Sequence, residues 1–386
     1  MKIYKRAILP LGFKANAVAC GIKKSGKLDL ALFYSDIPAK ASCEFTANKI
    51  QAAPIKINKK YLKDNRFYKA IIVNSGNANC FTGNLGLKDA EETTRALANG
   101  LRVNKENVLI ASTGIIGRRL PLAKIKKAIP ELIRGLSRQG IDKAKKAIIT
   151  TDNFTKEITV KFNLGSLGVS ICGVAKGAGM IAPDLGRQGA GRTATMLCFI
   201  LTDADITQNA LNKALKIAIG NSFNCITVDG CMSTNDSVMV LANGAARNML
   251  IDADKRFDSF VKALNILCLE LAKMIVRDAE GASKFVRIKI DKARNFAEAK
   301  KIAFSIANSN LFKTAIYGRN PNFGRIVAAI GSSGVDVEEE DIKFNVSPLH
   351  KKEVNVDVSV GQGNACAVVY TSDLTPEYVL INAEYN

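Results

Sequence analysis

Short apolar runs of strand length alternate along the whole chain with segments whose apolar residues recur at helical spacing. That alternation restricts a chain of 386 residues to a mixed α and β architecture. Candidate strands cover residues 70–73, 108–111, 158–162, 196–201, 238–241 and 367–370. The most regular is Val354-Asn355-Val356-Asp357-Val358-Ser359-Val360, where valine at every second position gives one buried face. Candidate helices cover 88–101, 122–136 with a kink expected at Pro130, 208–219 behind an N-cap Thr207, and 258–276. The last carries Phe260, Leu264, Leu267, Leu271, Met274 and Ile275 on one face, the mark of a core helix. The length suits two or three domains, or two large lobes around a shared core, and no internal repeat is visible.

Two scarcities narrow the chemistry. The chain has one histidine, His350 in LHKKE, and no tryptophan. A single histidine so placed argues against a Ser-His-Asp triad and against a multi-histidine metal site. The nine cysteines include no C-x-x-C pair, and most sit beside apolar residues, as Cys198 does in MLCFI. They read as reduced core thiols rather than a disulfide framework or a zinc site. An enzyme with this sequence must find its nucleophile and its base elsewhere.

The formal charge is +20, which raises nucleic-acid binding. However, the lysines are scattered in pairs such as Lys23-Lys24, Lys126-Lys127 and Lys300-Lys301, and no aromatic residues interleave with them as stacking platforms. A solvated lysine-rich surface is the better reading, with no nucleic-acid partner, and a basic field also suits anionic small substrates. The longest good apolar run, 196–201, is far short of the ~18 residues of a membrane span. Lys14 and Asn16 interrupt any leader-like segment at the N-terminus. The expectation is a cytoplasmic protein with no membrane contact.

Several strings rich in Gly, Asn, Ser and Thr follow candidate strands: VNSGNANCFTGNLG (73–86), ASTGIIGRRLP (111–121), ITTDNFTK (149–156), GVAKGAGMIAPD (173–184), TVDGCMSTND (227–236) and YGRNPNFGR (317–325). Glycine after a strand permits close backbone approach, and successive N–H groups there can cradle an anion. Singly each is an ordinary turn. None has the spacing of a P-loop or of a dinucleotide-binding G-x-G-x-x-G. The stretch 183–193, PDLGRQGAGRT, is small and polar, and reads as a flexible exposed loop.

Together these strings are specific. The chain resembles the ornithine acetyltransferase (glutamate N-acetyltransferase) family of cyclic arginine biosynthesis. The likeness runs through NSGNANCFTG, STGIIG, TTDNF, AKGAGMIAP, ATML, SFNCITVDG, STND, RDAEGASKF and KTAIYGRNPNFGR to SDLTPEYVLINAEYN. The resemblance implies an α/β fold, an α+β sandwich of the DmpA/ornithine-acetyltransferase type related to Ntn hydrolases. It also implies self-cleavage before the Thr of Ala194-Thr195-Met196-Leu197, giving an α chain 1–194 and a β chain 195–386 with the active site between them. A threonine at a new N-terminus carries its own base, an α-amino group of reference pKa ~7.7–8. That fits a chain almost without histidine.

The resemblance carries further roles, position by position. Thr113 and Gly114 match an oxyanion pair; Thr151, Lys176, Thr195, Glu280 and Asn382 match substrate contacts, with Thr150 as the alternative to Thr151. Lys176 would meet a substrate carboxylate and Glu280 an ammonium. No metal or dissociable cofactor is implied, and acetyl-CoA is a second donor only in bifunctional members. The substrates implied are N2-acetylornithine and glutamate, and the assembly two copies of each chain. The sequence departs from the family in LGRQGAGRT, which intervenes before ATML, and in Cys231-Met232, which stands where Asp-Thr is usual. Two rivals remain at this point: a self-processing amidase or aminopeptidase that passes the acyl group to water, and a basic, unprocessed binding protein.

Overall fold

A computed structural model of the chain describes residues 1–64, 67–186 and 196–384. The first half of the chain contains strands β1 (Lys2–Tyr4), β2 (Phe13–Val18) and β3 (Leu30–Phe45), helix α1 (Ala53–Asp64), β4 (Tyr68–Asn77) and α2 (Gly83–Leu101). It continues with β5 (Val108–Ile115), α3 (Leu122–Arg134), α4 (Ile141–Ala147), β6 (Lys156–Leu164) and β7 (Leu167–Lys176). After residue 195 come β8 (Leu197–Thr202), α5 (Gln208–Gly220), β9 (Ser237–Ala242), α6 (Lys255–Arg277) and β10 (Phe285–Ala293). The chain closes with α7 (Phe296–Ala307), α8 (Asn310–Tyr317), α9 (Gly324–Gly331), β11 (Lys343–Val346), β12 (Glu353–Ser359), β13 (Ala365–Ser372) and α10 (Pro376–Ala383).

The long strand β3 organises the larger lobe. Its first half, Leu30 to Tyr34, pairs with β2 and β4. Its register then shifts between Tyr34 and Ala39, and its second half, Lys40 to Phe45, pairs with β9. A bulge of this kind bends a strand and lets it pass from one sheet layer to another. Two layers result, β1-β6-β7-β8-β9-β3 and β2-β3-β4-β5, and they pack face to face. Phe33 from one layer stacks on Phe199 from the other with ring centroids 5.1 Å apart. A phenyl so buried contributes about 1.5–3 kcal/mol.

The outer faces are covered by helices. Helices α5 and α6 cover the β6–β9 side through Leu211, Leu215, Phe260, Leu264, Leu267 and Leu271. Helices α1, α2 and α3 cover the β4–β5 side through Ile57, Leu97, Ile125 and Ile129. Thr207 caps α5 as the sequence implies, its hydroxyl accepting the Ala210 N–H at 3.2 Å. The stripe on α6 is core, and α3 runs through Pro130 without ending there. The layering is the sandwich that the resemblance implies. A smaller lobe has its own core: α7, α8 and α9 pack on the sheet β11-β12-β10-β13.

The two segments on either side of residues 194 and 195 are not separate structural units. β7 and β8 pair antiparallel from Ile171↔Thr202 to Lys176↔Leu197, and β8 pairs parallel with β9 from Leu197↔Ser237. One sheet thus holds both. The second, smaller sheet begins near residue 285. The segment 183–193 also differs in its first part from a freely exposed loop. Leu185 is buried and bridges to Thr46, with its N–H and C=O bonded to the Asn224 side chain at 2.8 and 3.0 Å. Residues 187–195 lie outside the described residues, and with them Ala194 and Thr195.

Candidate active site

Lys176 ends β7 directly opposite Leu197, two residues beyond Thr195 in sequence. Its side chain is buried, and its ammonium donates to Thr150 Oγ1 at 2.8 Å and to Thr113 Oγ1 at 3.4 Å. The Asp152 carboxylate lies 3.7 Å away. Burial lowers the Lys176 pKa from its ordinary value, while Asp152, Glu280 and Asp236 oppose that shift. Burial would likewise raise the Asp152 carboxyl, yet Lys176 and Lys156 hold it well below the usual carboxylate range. The Asp152 carboxyl is therefore ionised at neutral pH.

Thr113 and Gly114 lie just before the last residue of β5, where the parallel ladder with β4 slips at Gly76 and Asn77. Gly114 has φ +131, and a Cβ there would overlap the backbone of Gly76 and Asn77. Only glycine fits this close approach of two strand ends. Asn235, in STND, fastens the region by donating to Ala78 O at 2.7 Å and Ser112 O at 2.8 Å. Its neighbour Asp236 accepts the Met196 N–H at 2.7 Å. The residue after Thr195 is thus anchored beside the end of β5.

In the string AKGAG both glycines have a physical reason. Gly177, with φ +151, donates its N–H to Asp152 Oδ1 at 2.7 Å. Ala178 O accepts the Glu280 N–H at 3.0 Å. Gly179 leaves room for the Glu280 carboxylate, which a Cβ would overlap. Glu280 is buried and accepts Asn382 Nδ2 at 3.0 Å. Asn382 lies on α10, whose N-cap Thr375 donates to Gly281 O at 2.7 Å. Asp373 accepts the Ser283 and Lys284 N–H groups at 2.9 and 3.0 Å. The strings RDAEGASKF and SDLTPEY are therefore one docking surface, made from segments far apart in sequence.

Of the sequence candidates, Thr113, Gly114, Lys176, Glu280 and Asn382 gather at one edge of the sandwich. At the threonine pair, Thr150 bonds Lys176, and Thr151 is half-buried next to it. Sequence reasoning passed over Asp152, Lys156, Asp236 and Asp278. Three of the four are acidic residues inside the quoted strings TTDNF, STND and RDAEG, and that was their signal. Among the described residues, no group of three His, Cys, Asp or Glu side chains is placed to hold a metal ion. None of the nine cysteines is disulfide-bonded, and Cys80, Cys172, Cys198, Cys225 and Cys268 are buried. A cavity of about 860 Å³ opens on the small lobe between Phe296, Lys300, Phe304 and Arg325, and none of the site residues lines it.

Comparison with known proteins gives the same neighbourhood. The ArgJ family model matches residues 14–386. An arginine biosynthesis bifunctional protein ArgJ from Geobacter sulfurreducens is 42% identical over 97% of this chain and 98% of its own. Another of that name, from Dehalococcoides mccartyi, is 44% identical over 97% of this chain and 96% of its own. The ornithine acetyltransferase of Mycobacterium tuberculosis, solved with ornithine, is 36% identical and covers 48% of this chain and 99% of its own, at a TM-score of 0.45. With a family match from residue 14 to the last residue, and relatives at such identity over nearly their full lengths, this chain belongs to the ArgJ family.

Proposed function

We propose that the protein is a glutamate N-acetyltransferase that moves acetyl from N2-acetylornithine to glutamate, with Thr195 as the acceptor in between. The observation that carries this reading is the convergence of Thr113, Lys176 and Glu280 beside the anchored Met196 amide, in a member of the ArgJ family. Cleavage of the 194–195 bond would leave Thr195 with a free α-amine. Its hydroxyl then attacks the acetyl carbonyl carbon, and the amine takes the hydroxyl proton. The tetrahedral oxyanion is met by the Thr113 hydroxyl and the Gly114 N–H. Collapse breaks the C–N bond, the proton passes to the departing ornithine nitrogen, and an acetyl ester remains on Thr195. Glutamate enters the same pocket, and its amine takes the acetyl group by the reverse sequence.

Lys176 would hold a substrate carboxylate, with Thr150 or Thr151 beside it. Glu280, held by Asn382, would meet an ammonium. Acetyl-CoA is proposed as an alternative donor, and an assembly of two α and two β chains in the cytoplasm as the working form. Among the described residues, no helix is long and apolar enough to cross a membrane. The experiment is to incubate the enzyme with N2-acetylornithine, with and without glutamate. Ornithine release in step with N-acetylglutamate formation supports transfer. Sustained ornithine release without glutamate means hydrolysis, and the reading fails.

A further inference from the structure

Segment 150–156, Thr-Thr-Asp-Asn-Phe-Thr-Lys, joins its own buried carboxylate, Asp152, to a second from a distant part of the chain, Asp278. Asp152 Oδ1 accepts Lys156 Nζ at 2.6 Å and the Gly177 N–H at 2.7 Å, and Oδ2 accepts the Thr150 N–H at 3.0 Å. Lys156 Nζ also donates to Asp278 Oδ2 at 2.5 Å. Asp278, just past the end of α6, accepts the Asn153 N–H through both oxygens at 3.2 and 3.1 Å. The side chains of Lys156, Asp152 and Asp278 are 0%, 0% and 1% exposed.

The two ends of this ion chain are not arbitrary. One end is Asp152, 3.7 Å from Lys176 and bonded to the amide that follows it. The other is Asp278, two residues before Glu280, whose own N–H is tied to Ala178. With Lys176 beside Asp152, two lysines face the two carboxylates. Burying such charges is a poor way to stabilise a fold, because their desolvation offsets most of their attraction. Fixing the relative position of two groups is the use for which their directional bonds are suited.

Taking the proposed transferase as the activity, we propose that Lys156 is a positioning residue that, through Asp152 and Asp278, sets the spacing between Lys176 and Glu280 and hence the fit of both amino-acid substrates. Lys156 touches neither substrate. Its bridge makes the two ends of the amino-acid pocket one rigid unit, so its loss moves binding without removing any binding group.

The test uses the full-length enzyme and two variants. Lys156→Gln removes the bridge and leaves an unbalanced carboxylate, so its melting temperature should fall. The double variant Lys156→Gln/Asp278→Asn restores charge balance and should recover most of that loss. Both should nevertheless raise KM for N2-acetylornithine and for glutamate, lowering kcat/KM by at least about tenfold. A double variant with wild-type stability and wild-type kcat/KM would overturn the inference. Should the variants not fold, amide exchange of the unmutated enzyme with and without ornithine decides. Protection of 150–156 together with 176–181 and 278–281 supports the bridge, and protection that skips 150–156 overturns it. Failure of the transferase reading shows separately, as an unmutated enzyme that transfers no acetyl group.

Discussion

The carboxylate of Glu280 packs against Gly179 so closely that a Cβ at position 179 would overlap both of its oxygens. The contact joins the string AKGAG, at the end of β7, to the turn after α6. On its other side the carboxylate accepts Asn382 Nδ2 at 3.0 Å.

Gly179→Ala should therefore displace Glu280 without disturbing a core. Position 179 is half-buried and outside helix and strand, so the melting temperature should change little. The KM for N2-acetylornithine should rise, with kcat/KM falling about tenfold or more as the ammonium partner moves. Steady-state kinetics beside a thermal melt measure both. Unchanged kinetics would mean that Glu280 does not contact substrate.

Lys313 gives a pH signature that is independent of catalysis. Buried on α8, it donates to Val228 O. Burial brings its pKa down from 10.5 to about 8, against the opposing pull of Asp229 and Asp373. Between those two values the unfolded chain still holds a proton that the folded chain has released, so folding stability rises with pH across that window. The penalty is fully present below about pH 8 and amounts to about 3 kcal/mol. Urea unfolding of wild type and Lys313→Met should then show the wild type gaining on the variant between about pH 8 and about pH 10.5. A constant difference would mean that Lys313 titrates normally.

Much of the fold was legible because local pattern and burial agree. The valines of β12 and the leucine stripe of α6 face their cores as their periods require. β3 was not legible: Asp36 and Pro38 sit at its bulge, and its halves serve different sheets, so no single period runs through it. β10 alternates as regularly as β12, but with Arg287 and Lys289 on its outer face it is passed over by any search for apolar runs. At the site, family strings point to Lys176 and Glu280. Asp152 and Asp278 escaped because their shared partner Lys156 is a tertiary fact, joining residues more than a hundred positions apart.

Self-cleavage is the simplest property to check. A cut before Thr195 would divide the 41.6 kDa chain into two nearly equal pieces, the second beginning Thr-Met-Leu-Cys. Thr195→Ala should remain a single inactive band, since it lacks the hydroxyl. Thr195→Ser should be processed slowly, because hydroxyl and eventual α-amine are both kept. A processed Ala variant would place the nucleophile elsewhere.

The central claim is that acetyl rests on Thr195 between donor and acceptor. The enzyme is mixed with N2-acetylornithine alone, quenched in acid and weighed by mass spectrometry. The piece beginning at Thr195 should gain about 42 Da, one acetyl in place of one hydrogen, while the other piece is unchanged. Thr113→Ala should slow the appearance of that species by ~10²–10³ through loss of one oxyanion donor, and full kinetics should give parallel double-reciprocal lines. No added mass on either piece, together with intersecting lines, would mean direct transfer in a ternary complex and would contradict the role given to Thr195.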